Sequence, residues 1–221
     1  MMKNLFQILC GLFLVVSYSS CMHSEEYKVD VFIIGGGASG VTSGIQSARM
    51  GANTLILEES TWLGGMLTSA GVSAVDGNYR LPAGLWGEFK NRLSDYYGGL
   101  DSLKTGWVSN VLFEPSVGNK ILHEMVAAEN NLKVWKQACL EEVKRTGDEW
   151  VAKVKVEGQG VKTVRAKVMI DATELGDVAK MCGVKYDIGM ESRDDTHEDI
   201  APEKKNTLIP QHYYKIFFLS T

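Results

Sequence analysis

A glycine-rich segment that directly follows an apolar run is the first feature of this sequence that could do chemistry. The run is residues 29–34, and three glycines after it have the GxGxxG spacing. In a strand–turn–helix unit such glycines allow a tight turn, a close backbone approach to a diphosphate and close packing of the helix on the strand. The N–H groups and the positive dipole end of the helix then favour phosphate. The candidate binding residues of this predicted dinucleotide-binding turn are Gly35, Gly36, Gly37, Ala38, Ser39 and Gly40.

An acidic residue ends the next apolar run, residues 54–57. Glu58 stands there, roughly 20 residues after the first glycine, where a carboxylate accepts hydrogen bonds from ribose hydroxyls. Its negative charge disfavours NADP, whose 2′-phosphate it would repel, but it does not separate NAD from FAD. Glu59 follows, and strand alternation predicts that it faces solvent.

Two later segments carry a family resemblance. Gly64 and Gly65 follow the second run, and Asp171-Ala172-Thr173 ends a later apolar run before Gly176-Asp177. Phe113-Glu114-Pro115-Ser116 and residues 182–192 are two further segments of this kind. The four segments resemble, in the same order along the chain, segments of the FAD-dependent oxidoreductase family, which has a glutathione-reductase-like FAD/NAD(P)-binding fold. The resemblance covers about residues 29 to 200. Within the family, the chain resembles the N-terminal fragment of an exported bacterial member.

The resemblance implies a cofactor and roles for further residues. FAD would be bound, and hydride would pass through the flavin to or from a small-molecule substrate that the sequence does not identify. Gly64 and Gly65 would lie beside the flavin, the backbone at Leu140 beside the adenine, and Asp177 near the ribityl chain or the phosphates. The resemblance assigns no catalytic residue.

The elements that position these residues form a predicted α/β domain. Residues 132–135 suit a third parallel strand, and residues 139–144, 150–156 and 162–164 alternate as a three-stranded antiparallel β-meander. Residues 168–171 then return to the parallel sheet. The fold class is a Rossmann-like three-layer FAD/NAD(P)-binding domain whose parallel sheet carries this meander as a crossover. The meander argues against a simple NAD-binding Rossmann unit.

Composition and cysteines restrict the partners. The net charge is −4 without a basic stripe, so nucleic acid is not an expected partner. Cys139 and Cys182 belong to no CxxC or Cys/His cluster, and no metal site is predicted. We expect two lone buried thiols, with a single disulfide as the alternative.

The first residues have the composition of an export signal. Residues 5–16 are apolar apart from Gln7 and Gly11, and small residues lead to Cys21. The run is short for a membrane span but fits a signal-peptide core. Residues 1–21 therefore predict export, to the periplasm or as a membrane-anchored lipoprotein lipidated at Cys21; a simple signal cleavage near Ser19 or Ser20 is the alternative.

The predicted organisation after the signal is a linker at 22–29, the N-terminal part of an FAD-binding domain at 30–190, and a charged tail or the start of a substrate domain at 191–221. Since the sequence ends at residue 221, within this tail or domain start, we expect a fold incomplete at its C-terminus and a weakly active or inactive product. An NAD-dependent dehydrogenase and a non-catalytic surface lipoprotein with a Rossmann-like binding module are the alternatives.

Overall fold

The computed structural model of the protein describes residues 26–77, 79–186 and 188–206. They contain a six-stranded sheet whose strands lie side by side in the order Leu132–Trp135, Thr54–Leu57, Glu26–Ile34, Gly160–Asp171, Glu149–Val156 and Ala138–Thr146. The predicted signal peptide and its Cys21 lie outside the described residues. None of the helices in these three ranges has the length and hydropathy needed to cross a bilayer.

The parallel half of the sheet contains β1 (Glu26–Ile34), β2 (Thr54–Leu57) and β3 (Leu132–Trp135), and these three run in the same direction. Both faces of β2 are covered, because all four of its residues are buried. Runs that are apolar at nearly every position are typical of such central strands. The predicted strands 54–57 and 132–135 are confirmed with the same bounds.

Helices cover one face of this sheet. They are α1 (Ala38–Arg49), α2 (Gly84–Tyr97) and α3 (Pro115–Ala127), and their apolar sides share one core with Ile33 and Ile56. Proline at the first position of α3 is favourable because its missing N–H would have no intrahelical acceptor. Phe32 and Leu55, the alternate residues of the same strands, belong to a second core on the other face.

The meander contains β4 (Ala138–Thr146), β5 (Glu149–Val156) and β6 (Gly160–Asp171), which pair antiparallel in turn. The predicted break between 164 and 168 is wrong: one continuous strand pairs with β5 and, in parallel, with β1. Arg165 and Lys167 interrupt the apolar pattern within this strand. Both point away from the buried Val164 and Ala166, and they pair with carboxylates of β1, Arg165 with Glu26 and Lys167 with Asp30 at 2.6 Å.

The boundary of the predicted linker also needs correction. Strand β1 begins at Glu26, inside the segment 22–29, because Glu26, Tyr27 and Lys28 pair with residues 163–165 of β6. The polar residues of this stretch are compatible with a strand whose end is half exposed.

Two short helices follow β6. They are α4 (Asp177–Met181) and α5 (Arg193–Thr196), the second closed by a capping box between Ser192 and Asp195. Met190 and Asn206 exchange backbone hydrogen bonds around α5. The domain boundaries at 190 and 191 stay predictions.

Candidate functional site

A cleft of about 620 Å³ lies at the carboxyl ends of β1, β2 and β6. Clefts of this size hold small molecules and cofactors, and in open parallel sheets they form at this edge. The residues that line it are Ile34, Gly35, Gly37, Leu57, Glu58, Glu59, Gly65, Met66, Ala138, Ala172, Thr173, Glu174, Leu175 and Asp177.

Two glycines of the predicted turn are required by packing. Gly35 has φ +104°, and a β-carbon on it would lie 2.2 Å from the carbonyl oxygen of Ala172. A β-carbon on Gly40 would lie 1.8 Å from the carbonyl oxygen of Gly35. Both distances are far below van der Waals contact. The turn and the close packing of α1 expected at these positions are therefore confirmed.

Gly37 differs from both, because nothing in the fold requires a glycine there. Its φ of −64° suits any L-residue, and a β-carbon would meet no atom within 4 Å in the described part of the protein. Gly37 lines the cleft and is the N-cap of α1, for which no described side chain supplies a cap. The N–H groups in the first turn of α1 have no intrahelical acceptor, and no β-carbon at Gly37 lies between that turn and the cleft, although the residues of the turn are not themselves among the lining residues. Ala38 and Ser39 form that first turn.

Glu58 connects β2 to the glycine turn. One carboxylate oxygen accepts the Gly36 N–H at 2.7 Å, and the other accepts the Ser60 N–H at 2.7 Å. A β-carbon on Gly36 would lie 2.7 Å from the same carboxylate oxygen, so glycine is needed for this contact. The sequence did not show this bond, which joins residues far apart in the chain. Glu59 is exposed as expected, yet it also lines the cleft.

The Gly64-Gly65 pair closes against the glycine turn. The Gly64 N–H donates to the Gly36 carbonyl at 2.8 Å. Gly64 and Gly65 both have positive φ, +107° and +52° respectively. Gly65 and the half-exposed Met66 line the cleft, and residues Gly65–Leu67 form a short 3-10 turn. Of the two predicted glycines, Gly65 lines the cleft and Gly64 lies directly beside it, whereas Met66 was not predicted; their contact with a flavin stays a prediction.

The residues after β6 form the opposite side, here called the cleft wall, residues 172–177. Thr173, Glu174, Leu175 and Asp177 of this wall line the cleft. Asp177 is exposed and is the first residue of α4. The predicted contact of Asp177 with a cofactor stays a prediction, and its position at the cleft is consistent with it.

Leu140 is not among the residues that line the cleft; Ala138 is. The Ala138 N–H donates to the Glu58 carbonyl at 3.0 Å, which places the first residue of β4 beside the acid. Leu140 lies two residues further along β4 and packs against the second core. The predicted position of the Leu140 backbone beside a bound adenine stays a prediction, and Ala138, which the sequence did not indicate, is the residue of β4 that lines the cleft.

The charge of the cleft is carried by acids. Glu58, Glu59, Glu174 and Asp177 line it, and the lining residues within the described ranges include no Lys, Arg or His.

The two described cysteines, Cys139 and Cys182, are free thiols, as expected. Cys182 is exposed and Cys139 is only partly buried, so the expected burial is wrong.

A glycine turn, an acid at the end of β2 and a meander on a parallel sheet define an α/β protein of the dinucleotide-binding class. A sequence model of the family described as FAD dependent oxidoreductase matches residues 30–216. The chain belongs to this family of flavoenzymes. The family favours FAD over the alternative of NAD. No curated protein matches the chain.

Solved structures agree on the fold. The p-nitrophenol 4-monooxygenase PnpA from Pseudomonas putida DLL-E4 has a TM-score of 0.50 and 15% identity, over 75% of this chain and 46% of that one. A flavoprotein/dehydrogenase from Cytophaga hutchinsonii has a TM-score of 0.52 and 19% identity, over 71% and 42%. The flavin-dependent monooxygenase PieE, solved with FAD and substrate, has a TM-score of 0.53 and 13% identity, over 76% and 34%. The chain thus spans less than half of each.

Proposed function

We propose that the cleft binds FAD, with the diphosphate on the turn from Gly35 to Gly40 and the adenosine ribose on Glu58. The observation that carries this proposal is Gly37. Packing accounts for Gly35, Gly36 and Gly40, whereas Gly37 has an ordinary φ and open space around it. A residue without a side chain at that point is explained by a ligand that needs the space.

The charges of the cleft restrict how a diphosphate is held. Since its described lining residues include four acids and no Lys or Arg, the phosphate charge has to be met by backbone N–H groups and the positive end of α1. The same acids oppose a third phosphate, which favours FAD over NADP.

The remaining candidates are assigned by position. Gly64 and Gly65 would approach the flavin half, as the family resemblance implies; Gly65 lines the cleft, and the Gly64 N–H donates to the Gly36 carbonyl. Ala138 would lie beside the adenine together with the backbone at Leu140, two residues further along β4. Asp177, on the cleft wall, would face the ribityl chain or water at the phosphates.

FAD supplies two-electron redox chemistry when bound. The protein would then be an oxidoreductase that transfers hydride to or from a small-molecule substrate. The described cleft lining contains no His, Lys, Tyr or Cys. The residues proposed here therefore bind and orient the cofactor, and the substrate side of the reaction needs residues other than these.

Titration of the full chain with FAD, followed by flavin fluorescence and absorbance, tests the proposal. We expect saturable binding, and we expect Glu58→Gln to weaken it by about tenfold, because the Gln amide would oppose either the Gly36 or the Ser60 N–H. Glu59→Gln is the control, since it removes the same charge without touching these bonds. Binding of NAD but not of FAD would favour a dehydrogenase, and binding of neither would favour a non-catalytic protein; both outcomes contradict the proposal.

We also propose that the protein is exported. Support comes from residues 1–21, with their apolar core and Cys21 at its end. The mass of the mature N-terminus tests this: a diacylglycerol on Cys21 indicates a lipoprotein, cleavage near Ser19 or Ser20 a soluble exported form, and an intact Met1 contradicts export.

A further inference from the structure

We propose that Asp171 is a positioning residue that fixes the cleft wall, residues 172–177, against the glycine turn and thereby sets the affinity for FAD. This inference rests on the proposed function. Asp171 is not itself among the residues lining the cleft, so it acts through residues that are.

One carboxylate holds both ends of the wall. An oxygen of Asp171 accepts the Thr173 N–H at 3.0 Å and the Thr173 hydroxyl at 2.7 Å. The other oxygen accepts the N–H of Ala179 in α4 at 2.8 Å. The Thr173 hydroxyl oxygen in turn accepts the Asp177 N–H at 2.8 Å. The four bonds form one network across the wall, and bonds to an ionised acceptor are stronger than neutral ones.

The network determines where the cleft-lining residues of the wall lie. Glu174 and Leu175 are exposed, and Gly176 between them and α4 has φ +71°. Glu174 and Leu175 therefore depend on the bonds at either end of the wall for their position. Thr173 and Asp177, at those ends, are the two residues that the network holds directly.

The base of the network is rigid because it belongs to the sheet. Asp171 is the last residue of β6 and pairs with Ile34, directly before the glycine turn. The Ala172 N–H donates to the Ile34 carbonyl at 2.8 Å. Since Gly35 packs against the Ala172 carbonyl, the two sides of the cleft start from adjacent strand ends. A carboxylate at this point can fix the distance between them.

Electrostatics and positioning predict opposite results. A diphosphate in this acidic cleft would be repelled by Asp171, so loss of the charge alone would strengthen FAD binding. If Asp171 positions the wall, Asp171→Asn weakens binding, because the Asn amide group faces an N–H donor and one bond is lost. The sign of the change distinguishes the two roles.

The alkylation rate of the Cys182 thiol is a second measurement, and it does not require bound flavin. Although the residue is exposed, partial desolvation of its sulfur raises the pKa of the thiol, and the negative charge of Asp171 raises it further. Cys182 directly follows α4. Both causes weaken if α4 leaves Asp171 or if the charge is removed. The thiol pKa then falls, and alkylation at a fixed pH below it becomes faster.

The experiment compares variants of the full chain: Asp171→Asn, Thr173→Val, Thr173→Ser and, as a matched control, Asp148→Asn in the exposed β4–β5 turn. We expect Asp171→Asn and Thr173→Val each to raise the Kd for FAD by about tenfold, with Thr173→Ser and Asp148→Asn within about twofold of the wild type. The double variant of Asp171→Asn and Thr173→Val is expected to lose little more than either single one, because both break one network. Cys182 alkylation, followed by mass spectrometry, is expected to accelerate in Asp171→Asn and not in Asp148→Asn.

Unchanged or tighter FAD binding by Asp171→Asn overturns the inference, as does equal weakening by Thr173→Ser and Thr173→Val. If Asp171→Asn does not fold, the Thr173 pair decides, since Val keeps the size of Thr and Ser keeps its hydroxyl. If the wild type itself does not bind FAD, the proposed function fails. The Cys182 rate in Thr173→Val then still decides whether the network holds α4, because this variant removes the bond to the Asp177 N–H and keeps the Asp171 charge; a rate equal to that of Thr173→Ser overturns the inference.

Discussion

Replacing Gly37 with alanine is expected to lower the affinity for FAD by about 100-fold, which corresponds to roughly 2.7 kcal/mol, while the fold remains intact. The added methyl group meets no described protein atom within 4 Å, and the φ of −64° is ordinary for alanine. It would occupy the space through which a diphosphate approaches the first turn of α1. Isothermal titration with FAD gives the affinity, and thermal unfolding without FAD shows whether the fold is retained.

The stability of the Gly37→Ala protein is expected to stay within about 1 kcal/mol of the wild type, because a less flexible unfolded chain offsets a poorer N-cap. Gly106→Ala is the matched control. A β-carbon at Gly106 would make only ordinary contacts, 3.6 Å from Leu112, and Gly106 does not line the cleft. Full FAD binding by Gly37→Ala would remove the observation on which the proposed function depends.

Replacing Gly40 with alanine is expected to destabilise the fold itself, whereas Gly37→Ala lowers the affinity for FAD and leaves the stability nearly unchanged. The β-carbon would lie 1.8 Å from the Gly35 carbonyl oxygen and 3.3 Å from the Ala172 side chain. Backbone has to move to relieve the first contact, so we expect a loss of about 3 kcal/mol or more. For a chain of this size, the midpoint of thermal unfolding would fall by roughly 6–12 °C.

Gly44→Ala controls for the exchange of glycine for alanine within the same helix. Its β-carbon would meet the tip of Ile56, 2.5 Å from Cδ1, and a side-chain tip can move where a backbone carbonyl cannot. The helix propensity gained from alanine, about 1 kcal/mol, offsets part of that cost. A Gly40→Ala protein as stable as Gly44→Ala would show that α1 does not pack on the turn as described.

Local sequence patterns were sufficient to predict the parallel half of the fold. The apolar runs at 54–57 and 132–135 could be identified because strands buried on both faces tolerate few polar residues. The turn after β1 was predictable for a similar reason, since a positive φ and two close approaches leave glycine as the only residue that fits at Gly35.

What could not be predicted depends on contacts between distant segments. Arg165 and Lys167 look like a strand break until Glu26 and Asp30 of the neighbouring strand are placed beside them. The position of Ala138 at the cleft depends on its N–H bond to the Glu58 carbonyl, and the φ of +52° at Gln137, a non-glycine residue, is not indicated by the sequence. The bond from Gly36 to Glu58 and the network of Asp171 are likewise properties of the folded chain. In the network, only the Asp-x-Thr spacing at a strand end was a usable signal of capping.

The location of the diphosphate can be measured directly by NMR on ¹⁵N-labelled full chain, titrated with FAD and, separately, with riboflavin, which has the flavin ring but no phosphate. The account predicts that FAD shifts the backbone amide signals of Gly37, Ala38 and Ser39 at saturation, and that riboflavin leaves them unchanged. If FAD binds without shifting these three amides, or if riboflavin shifts them as strongly, the glycine turn does not hold the diphosphate and the central claim is wrong.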